Sequence, residues 1–284
     1  MLAKKATLED VNLKVMVWGE SGSGKSRFAL SAPNPIVIDL EGSTRLYANE
    51  FDFDDLQLSE PYTPEKYIEA ITQAVDGGYS VLIIDSITHE WNYILDQVDK
   101  IPGTNSYTKW GKLTPRHNKF TEKMIQSPIN IIATVRGKDA YVLEQDKNGK
   151  QVPKKVGLGY TQRDGLEYEY TVTFNIDQTN HVATVQKDNT HLFENKYEML
   201  TEKDGEALYE WANSGEERVP TLEEKLKPLQ KQVTDTAVKK GGSKNPSVVE
   251  VLKKYGIINP SDCLDEEKLN NTLKELEKIE NKEK

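Results

Sequence analysis

The sequence predicts an α/β protein: a mainly parallel sheet flanked by helices, extended by antiparallel edge strands and followed by a small helical C-terminal tail. Three observations predict it. Four short, continuously apolar runs, residues 13–18, 36–40, 79–85 and 129–135, have the length and composition of strands buried on both faces. Helical segments separate several of these runs, the alternation that a parallel sheet with crossover helices requires. Beyond residue 163 the pattern turns to alternating apolar and polar positions, the sign of half-buried edge strands.

Taken in order, residues 13–18 (LKVMVW) form the first strand and feed a glycine-rich loop. Residues 25–31 (KSRFALS) make a short helix, stopped by Ala32-Pro33-Asn34-Pro35. Ile36 to Leu40 is the second strand. A helix over 63–76 opens at Thr63 with Pro64 in its first position and closes near Gly77-Gly78. Tyr79 to Asp85 is the third strand, with a helix after it through about Val98, and 129–135 is the fourth. Residues 137–163 read as a hairpin or long loop around Asn148-Gly149. Glu167 to Ile176 and His181 to Val185 are the edge strands, expected antiparallel, and 201–213 is a helix ended by Gly215. The expected domains are a core over 1–215, a polar linker over 216–246 and a small helical segment over 247–284. The stripe Leu269, Leu273, Leu276 and Ile279 in that last segment is too small for an independent core.

Composition narrows the class. The chain of 284 residues has no apolar run approaching a membrane span, no signal-peptide pattern at its start and one cysteine, Cys263, so a reducing cytoplasm is expected. Four scattered histidines offer no metal-ligand spacing. The net charge of −9 is uneven: residues 1–99 carry 7 Lys/Arg against 17 Asp/Glu, residues 100–163 carry 13 against 4, and residues 164–215 carry 3 against 11. A basic middle segment is hidden inside an acidic average.

Gly19-Glu20-Ser21-Gly22-Ser23-Gly24-Lys25-Ser26 satisfies the phosphate-loop pattern G-x-x-x-x-G-K-[ST] between a strand and a helix, the setting that motif needs. Backbone N–H groups there would cradle the β-phosphate, Lys25 would reach the β and γ oxygens, and Ser26 would hold Mg²⁺; Arg27 extends the binding set. Asp85, ending the apolar strand VLIID, supplies the second acidic group of the Mg²⁺ shell, with Ser86 or Thr88 left to cap the following helix. Hydrolysis needs a carboxylate near the γ-phosphate. Asp39 and Glu41 both stand at the end of the second strand, and Glu41 is favoured. Asp39-Leu40-Glu41-Gly42 also matches the D-x-x-G of GTPases, but Asn195-Lys196-Tyr197-Glu198 lacks the Asp of a guanine motif, so ATP is expected.

The order of these parts, with the strand IIATVRGK after LIIDS, resembles the RecA-type ATPase core. More narrowly, VRGKDAYV, KKVGLGYTQRDGLEYEYTVTF and TVQKDNTHLF resemble the phage-encoded minimal RecA-like nucleotide-binding proteins, some of which are single-strand annealing recombinases. The resemblance spans about residues 10–213; Asn189 stands where that family's pattern leads one to expect Arg. It implies a RecA-like P-loop NTPase fold, a phage protein in a bacterial cytoplasm, and self-association into a ring or filament. It also implies that Thr134 and Arg136 sense the γ-phosphate, and that Arg136, Lys138, Arg163 and Lys187 are candidates for a cation inserted into a neighbour's nucleotide.

The resemblance gives the basic segment a use, because loops after the third and fourth core strands hold DNA in such proteins. Tyr107, Lys109, Trp110, Lys112, Arg116, Lys154 and Lys155 become the candidates for single-stranded DNA, by phosphate contact and base stacking. The leading expectation is a Mg²⁺-dependent ATPase of phage recombination that anneals or exchanges strands. The alternatives are a replication ATPase, helicase or loader, whose C-terminal helices dock on a single-strand-binding or replication protein, and a small-molecule kinase.

Overall fold

The computed structural model describes residues 9–103, 105–145, 151–215 and 222–279. The chain divides into two compact units, Met1–Glu216 and Glu217–Lys284.

Among the described residues the first unit is built on nine strands. They are β1 (Lys14–Gly19), β2 (Pro35–Asp39), β3 (Asp54–Asp55), β4 (Val81–Asp85), β5 (Asn130–Gln145), β6 (Gln151–Tyr160), β7 (Val172–Ile176), β8 (Val182–Asp188) and β9 (Tyr197–Met199). The sheet order is β3-β2-β4-β5-β1-β7-β8-β9, with β6 paired to the far part of β5. The pairs among β1, β2, β3, β4 and β5 that form the core are parallel. At the edge the expectation is corrected in part: β7 runs parallel to β1, and only β8 and β9 continue antiparallel.

Among the described residues five helices cover the sheet: α1 (Lys25–Leu30), α2 (Pro64–Asp76), α3 (Thr88–Lys100), α4 (Ser106–Gln126) and α5 (Glu202–Ala212). The continuous apolar runs are explained by period-two alternation between two buried faces. Met16, Trp18, Ile38, Leu82, Ile84, Ile131 and Ala133 point to a core closed by Tyr67 and Ile71 of α2 and Phe120 and Met124 of α4. Val15, Val17, Val37, Ile83 and Ile132 face the other way, onto Phe28 of α1 and Leu208 and Ala212 of α5. Burying each large side chain contributes about 1.5–3 kcal/mol, so both faces lock the register of the central strands.

Two readings are corrected. The segment between the third and fourth core strands that carries Tyr107, Lys109, Trp110, Lys112 and Arg116, expected as a DNA-facing loop, lies in α4, whose Leu113, His117, Phe120 and Met124 are buried at helical spacing. Residues 216–246, expected as a polar linker, contain α6 (Leu222–Lys239), with Leu226, Val233 and Ala237 buried. α6 joins α7 (Pro246–Lys254) and α8 (Glu266–Glu277) around Val248, Ile257, Leu269 and Leu276. The stripe on α8 is therefore covered within its own unit, because α6 supplies the third wall. The turn expected at Asn148-Gly149 lies outside the described residues. Among the described residues no helix is long and apolar enough to cross a membrane.

Candidate active site

The site gathers at the C-terminal ends of β1, β2 and β4, beside Thr134 and Arg136 of β5. β5 lies between β1 and β4. That order brings Thr134, from the middle strand, between the phosphate loop on one side and Asp85 on the other.

The loop owes its path to glycine. Gly22 and Gly24 have φ of 78° and 103°, which other residues adopt only at a cost, and Gly24 passes directly into α1. Gly19 is required for a different reason: a Cβ there would lie 2.4 Å from the Ile176 carbonyl oxygen and 2.8 Å from Ser23 Oγ. The turn between β7 and β8 holds the loop from outside, where Gln178 Nε2 donates to Ser21 O at 2.7 Å and His181 Nδ1 lies 3.2 Å from Ser23 O. Among the described residues no side chain caps the start of α1, so its first N–H groups are available to an anion. Lys25 Nζ rests on Glu20 O at 2.8 Å and Ser23 Oγ at 3.5 Å, oxygens of the loop itself. Burial pushes the Lys25 ammonium below its ordinary range, while Asp85 and Glu41 push it back up.

Asp85 is the centre of the arrangement. Its Oδ2 accepts from Ser26 Oγ and its Oδ1 from Thr134 Oγ1, each at 2.5 Å. Burial raises its pKa, and the two hydroxyls oppose that rise. Ser26 Oγ and Asp85 Oδ2 are hard oxygen donors side by side, the donor set that suits Mg²⁺. Neither residue expected to cap α3 does so. Ser86 Oγ points 3.5 Å from Glu41 Oε1, and Thr88 Oγ1 accepts the Arg136 N–H at 3.0 Å; Ile87 takes the cap position.

The structure separates the two carboxylates at the end of β2. Asp39 is consumed by a turn: Oδ1 accepts from the N–H of Glu41 and of Gly42, and Oδ2 from the N–H and hydroxyl of Thr44. Glu41 is free of such work and faces the site. Arg136 Nε donates to its Oε1 at 2.7 Å, and His89 Nε2 lies 3.6 Å from that same oxygen. The His89 imidazole is the largest influence holding the Glu41 carboxyl down at about 2; partial burial opposes it and Arg136 adds to it. At 3.6 Å the imidazole and the carboxylate lie close without a well-formed hydrogen bond between them.

The remaining sequence candidates scatter. Arg27 turns from the loop to Glu50, at 2.5 Å, and lies over the Phe51 ring. Arg163 donates to Asn118 at 2.7 Å and Lys187 to the Tyr168 carbonyl at 2.7 Å, so both are engaged within the unit; Lys138 is exposed on β5. Trp110 is corrected: it stacks on Trp91, ring centres 5.6 Å apart, in a small core between α3 and α4. Arg116 is corrected likewise, since it makes a two-pronged pair with Glu65 at 2.8 and 2.7 Å and lies over Tyr93. Tyr107 and Lys112 are exposed and Lys109 half-buried on α4. Lys154 and Lys155 fall on β6, and their side chains lie outside the described residues. Sequence reasoning missed His89, Gln178 and His181. For His89 the signal was present: it lies four residues after Asp85, in the first turn of α3.

Known proteins are similar in two respects. The model of a family described as an AAA domain matches residues 11–204. Among solved structures, a KaiC-like protein from the hyperthermophilic archaeon Pyrococcus horikoshii OT3 is similar at 14% identity and a TM-score of 0.39, over 62% of this chain and 80% of that one. No curated protein matches the sequence. The mainly parallel sheet flanked by helices, with its phosphate loop on β1 and its acidic end on β4, is the α/β P-loop NTPase fold expected.

Proposed function

The chain belongs to the AAA domain family of P-loop NTPases, and from that premise we propose that it binds and hydrolyses ATP with Mg²⁺ to act on single-stranded DNA. The observation that carries the first half is the convergence of Lys25, the Ser26–Asp85–Thr134 chain and Glu41 with Arg136 on one loop. Lys25 would exchange the loop's oxygens for those of the β- and γ-phosphates. Mg²⁺, held by Ser26 and Asp85, would neutralise charge on the phosphate oxygens. Among the described residues every side-chain contact to Glu41 falls on Oε1, which leaves Oε2 to take the proton of a water as that water attacks the γ-phosphorus. Arg136 would stabilise charge on the departing phosphate.

Glu41→Gln keeps the shape and removes the base. It is expected to lower turnover by about 10²–10⁴-fold at unchanged nucleotide affinity. Turnover at the parent rate would remove Glu41 from this role, and transfer of phosphate to a sugar or nucleoside instead of water would replace the hydrolase reading by a kinase.

The second half rests on charge. Residues 100–163 carry a surplus of nine positive charges, and Tyr107 and Lys112 stand exposed on α4. Phage recombination, through annealing or exchange of strands, is the use we favour, with copies of the chain assembled through the nucleotide site. Salt-dependent binding of an oligonucleotide followed by anisotropy tests this; binding absent at low salt, with and without ATP, would overturn it.

A further inference from the structure

Buried nitrogens without a hydrogen-bond partner are rare in folded proteins. Among the described residues His89 Nε2 is one. It sits in the active site, on the first turn of α3, aimed at Glu41 Oε1 across 3.6 Å. The turn that carries it is fixed: the Ile87 N–H donates to Thr134 O at 3.2 Å, and Thr88 Oγ1 accepts the Arg136 N–H at 3.0 Å. Tyr62 packs against the imidazole at an angle of 65°, ring centres 5.3 Å apart. The ring is thus oriented but unsatisfied, with the carboxylate less than 1 Å beyond hydrogen-bond reach.

What occupies the position His89 lacks is Arg136. Its Nε takes Glu41 Oε1 at 2.7 Å, while the side chain remains 47% exposed. A guanidinium held by one exposed carboxylate contact is weakly retained, and a triphosphate in the loop offers it more charge and a better match for its fork of donors. When Arg136 leaves, the one side-chain hydrogen bond left to Glu41 among the described residues is the long Ser86 contact at 3.5 Å, and its free oxygen would lose its aim at the water.

We propose that His89 is a positioning residue that replaces Arg136 on Glu41 Oε1 when nucleotide binds, so that Arg136 can serve the γ-phosphate while Oε2 stays directed at the water. The inference rests on the reading of Glu41 as the base. It gives the orphan nitrogen a partner and gives the Arg136–Glu41 pair a second state. His89 touches neither the loop nor Lys25, Ser26 or Asp85 in any contact described, so its loss should act on the rate and leave nucleotide affinity alone.

The test compares His89→Phe, which keeps the packing on Tyr62, with His89→Gln, which returns an N–H at similar reach. Single-turnover hydrolysis and the affinity for a fluorescent ATP analogue are measured for each, beside Glu41→Gln. His89→Phe is expected to slow hydrolysis about tenfold to a hundredfold with affinity unchanged, the size of effect that misaiming a catalytic group produces. His89→Gln is expected to recover most of that loss. A parent rate in His89→Phe would overturn the proposal, as would an equal loss in both variants, since the ring and not its N–H would then matter. Should the Phe variant fail to fold, the ¹⁵N resonance of His89 Nε2 in the unaltered protein decides: a shift to a hydrogen-bonded value on adding a non-hydrolysable ATP analogue supports the exchange, and an unmoved resonance overturns it. A slow Glu41→Gln beside a fast His89→Phe refutes the exchange alone; a fast Glu41→Gln refutes the assignment of the base beneath it.

Discussion

Asp85 shows at the scale of one residue how function and stability pull apart. Burial in the sheet holds its carboxyl above the ordinary value of 3.8, so the folded chain binds that proton more readily than the unfolded one. The stability it contributes is present below the unfolded value and is lost as pH rises through the raised folded value. At neutral pH the charged form is therefore a cost, offset only in part by the hydroxyls of Ser26 and Thr134. Asp85→Asn removes the charge and keeps an oxygen acceptor. We expect it to raise the melting temperature of the nucleotide-free protein by a few degrees, since ~1 kcal/mol is worth roughly 2–4 °C in a domain of this size. The further rise that Mg²⁺ and nucleotide give the unaltered protein should disappear, and thermal melts with and without both ligands check the two effects together. A lower melting temperature would mean that the two hydrogen bonds outweigh the buried charge. The placement of Asp85 and Lys25 was legible in the sequence because it depends on local spacing along one strand and one loop. Arg116 and Trp110 were not, because Glu65 and Trp91, which engage them, come from other helices.

Among elements, β5 carries two tasks in one strand. Its first part, Asn130 to Val135, is buried between β1 and β4, and its continuation from Gly137 pairs with β6 alone. The hairpin therefore grows from the same end of the sheet as the phosphate loop, which the Gly19 to Arg136 pairing brings alongside. Replacing residues 141–155 by a two-residue Asn-Gly turn would shorten it without touching the core strand. We expect nucleotide affinity to be retained and single-stranded DNA affinity to fall. Removing the four lysines at 147, 150, 154 and 155 should reduce the slope of log affinity against log salt by up to about 3. Titrations at several salt concentrations give both numbers, and an unchanged slope would move the DNA contact elsewhere, to α4 first. Strands were easier to read than helices here. α4 and α6 were hidden because each carries an internal proline, Pro115 and Pro228, within a strongly charged run. Their apolar stripes survive at three- and four-residue spacing, and tertiary packing overrides the poor local propensity.

For the whole molecule, the division into two units changes what stability means. The first unit has a core on each face of its sheet, whereas among the described residues the second closes one small core between α6, α7 and α8. A unit of that size buries a smaller share of its surface and is the weaker of the two. Unfolding of the full chain should therefore not be a single transition, and one melting temperature would not describe it. The proposed nucleotide site draws its residues from the first unit: Lys25, Glu41, Asp85, His89, Thr134 and Arg136 precede Glu216. A chain ending at residue 216 is thus expected to lose the lower-temperature transition, keep the higher one within a few degrees, and retain its upward shift with Mg²⁺ and ATP. Calorimetry of both chains measures this directly. The salt slope of DNA binding should also survive the cut, because residues 100–163 carry the positive surplus while residues 216–284 balance at 14 Lys/Arg against 14 Asp/Glu. If the higher transition instead falls with the cut, the second unit supports the first and is part of the ATPase. If only DNA binding falls, the second unit contributes its own contact, and the basic middle segment is not the whole of that surface.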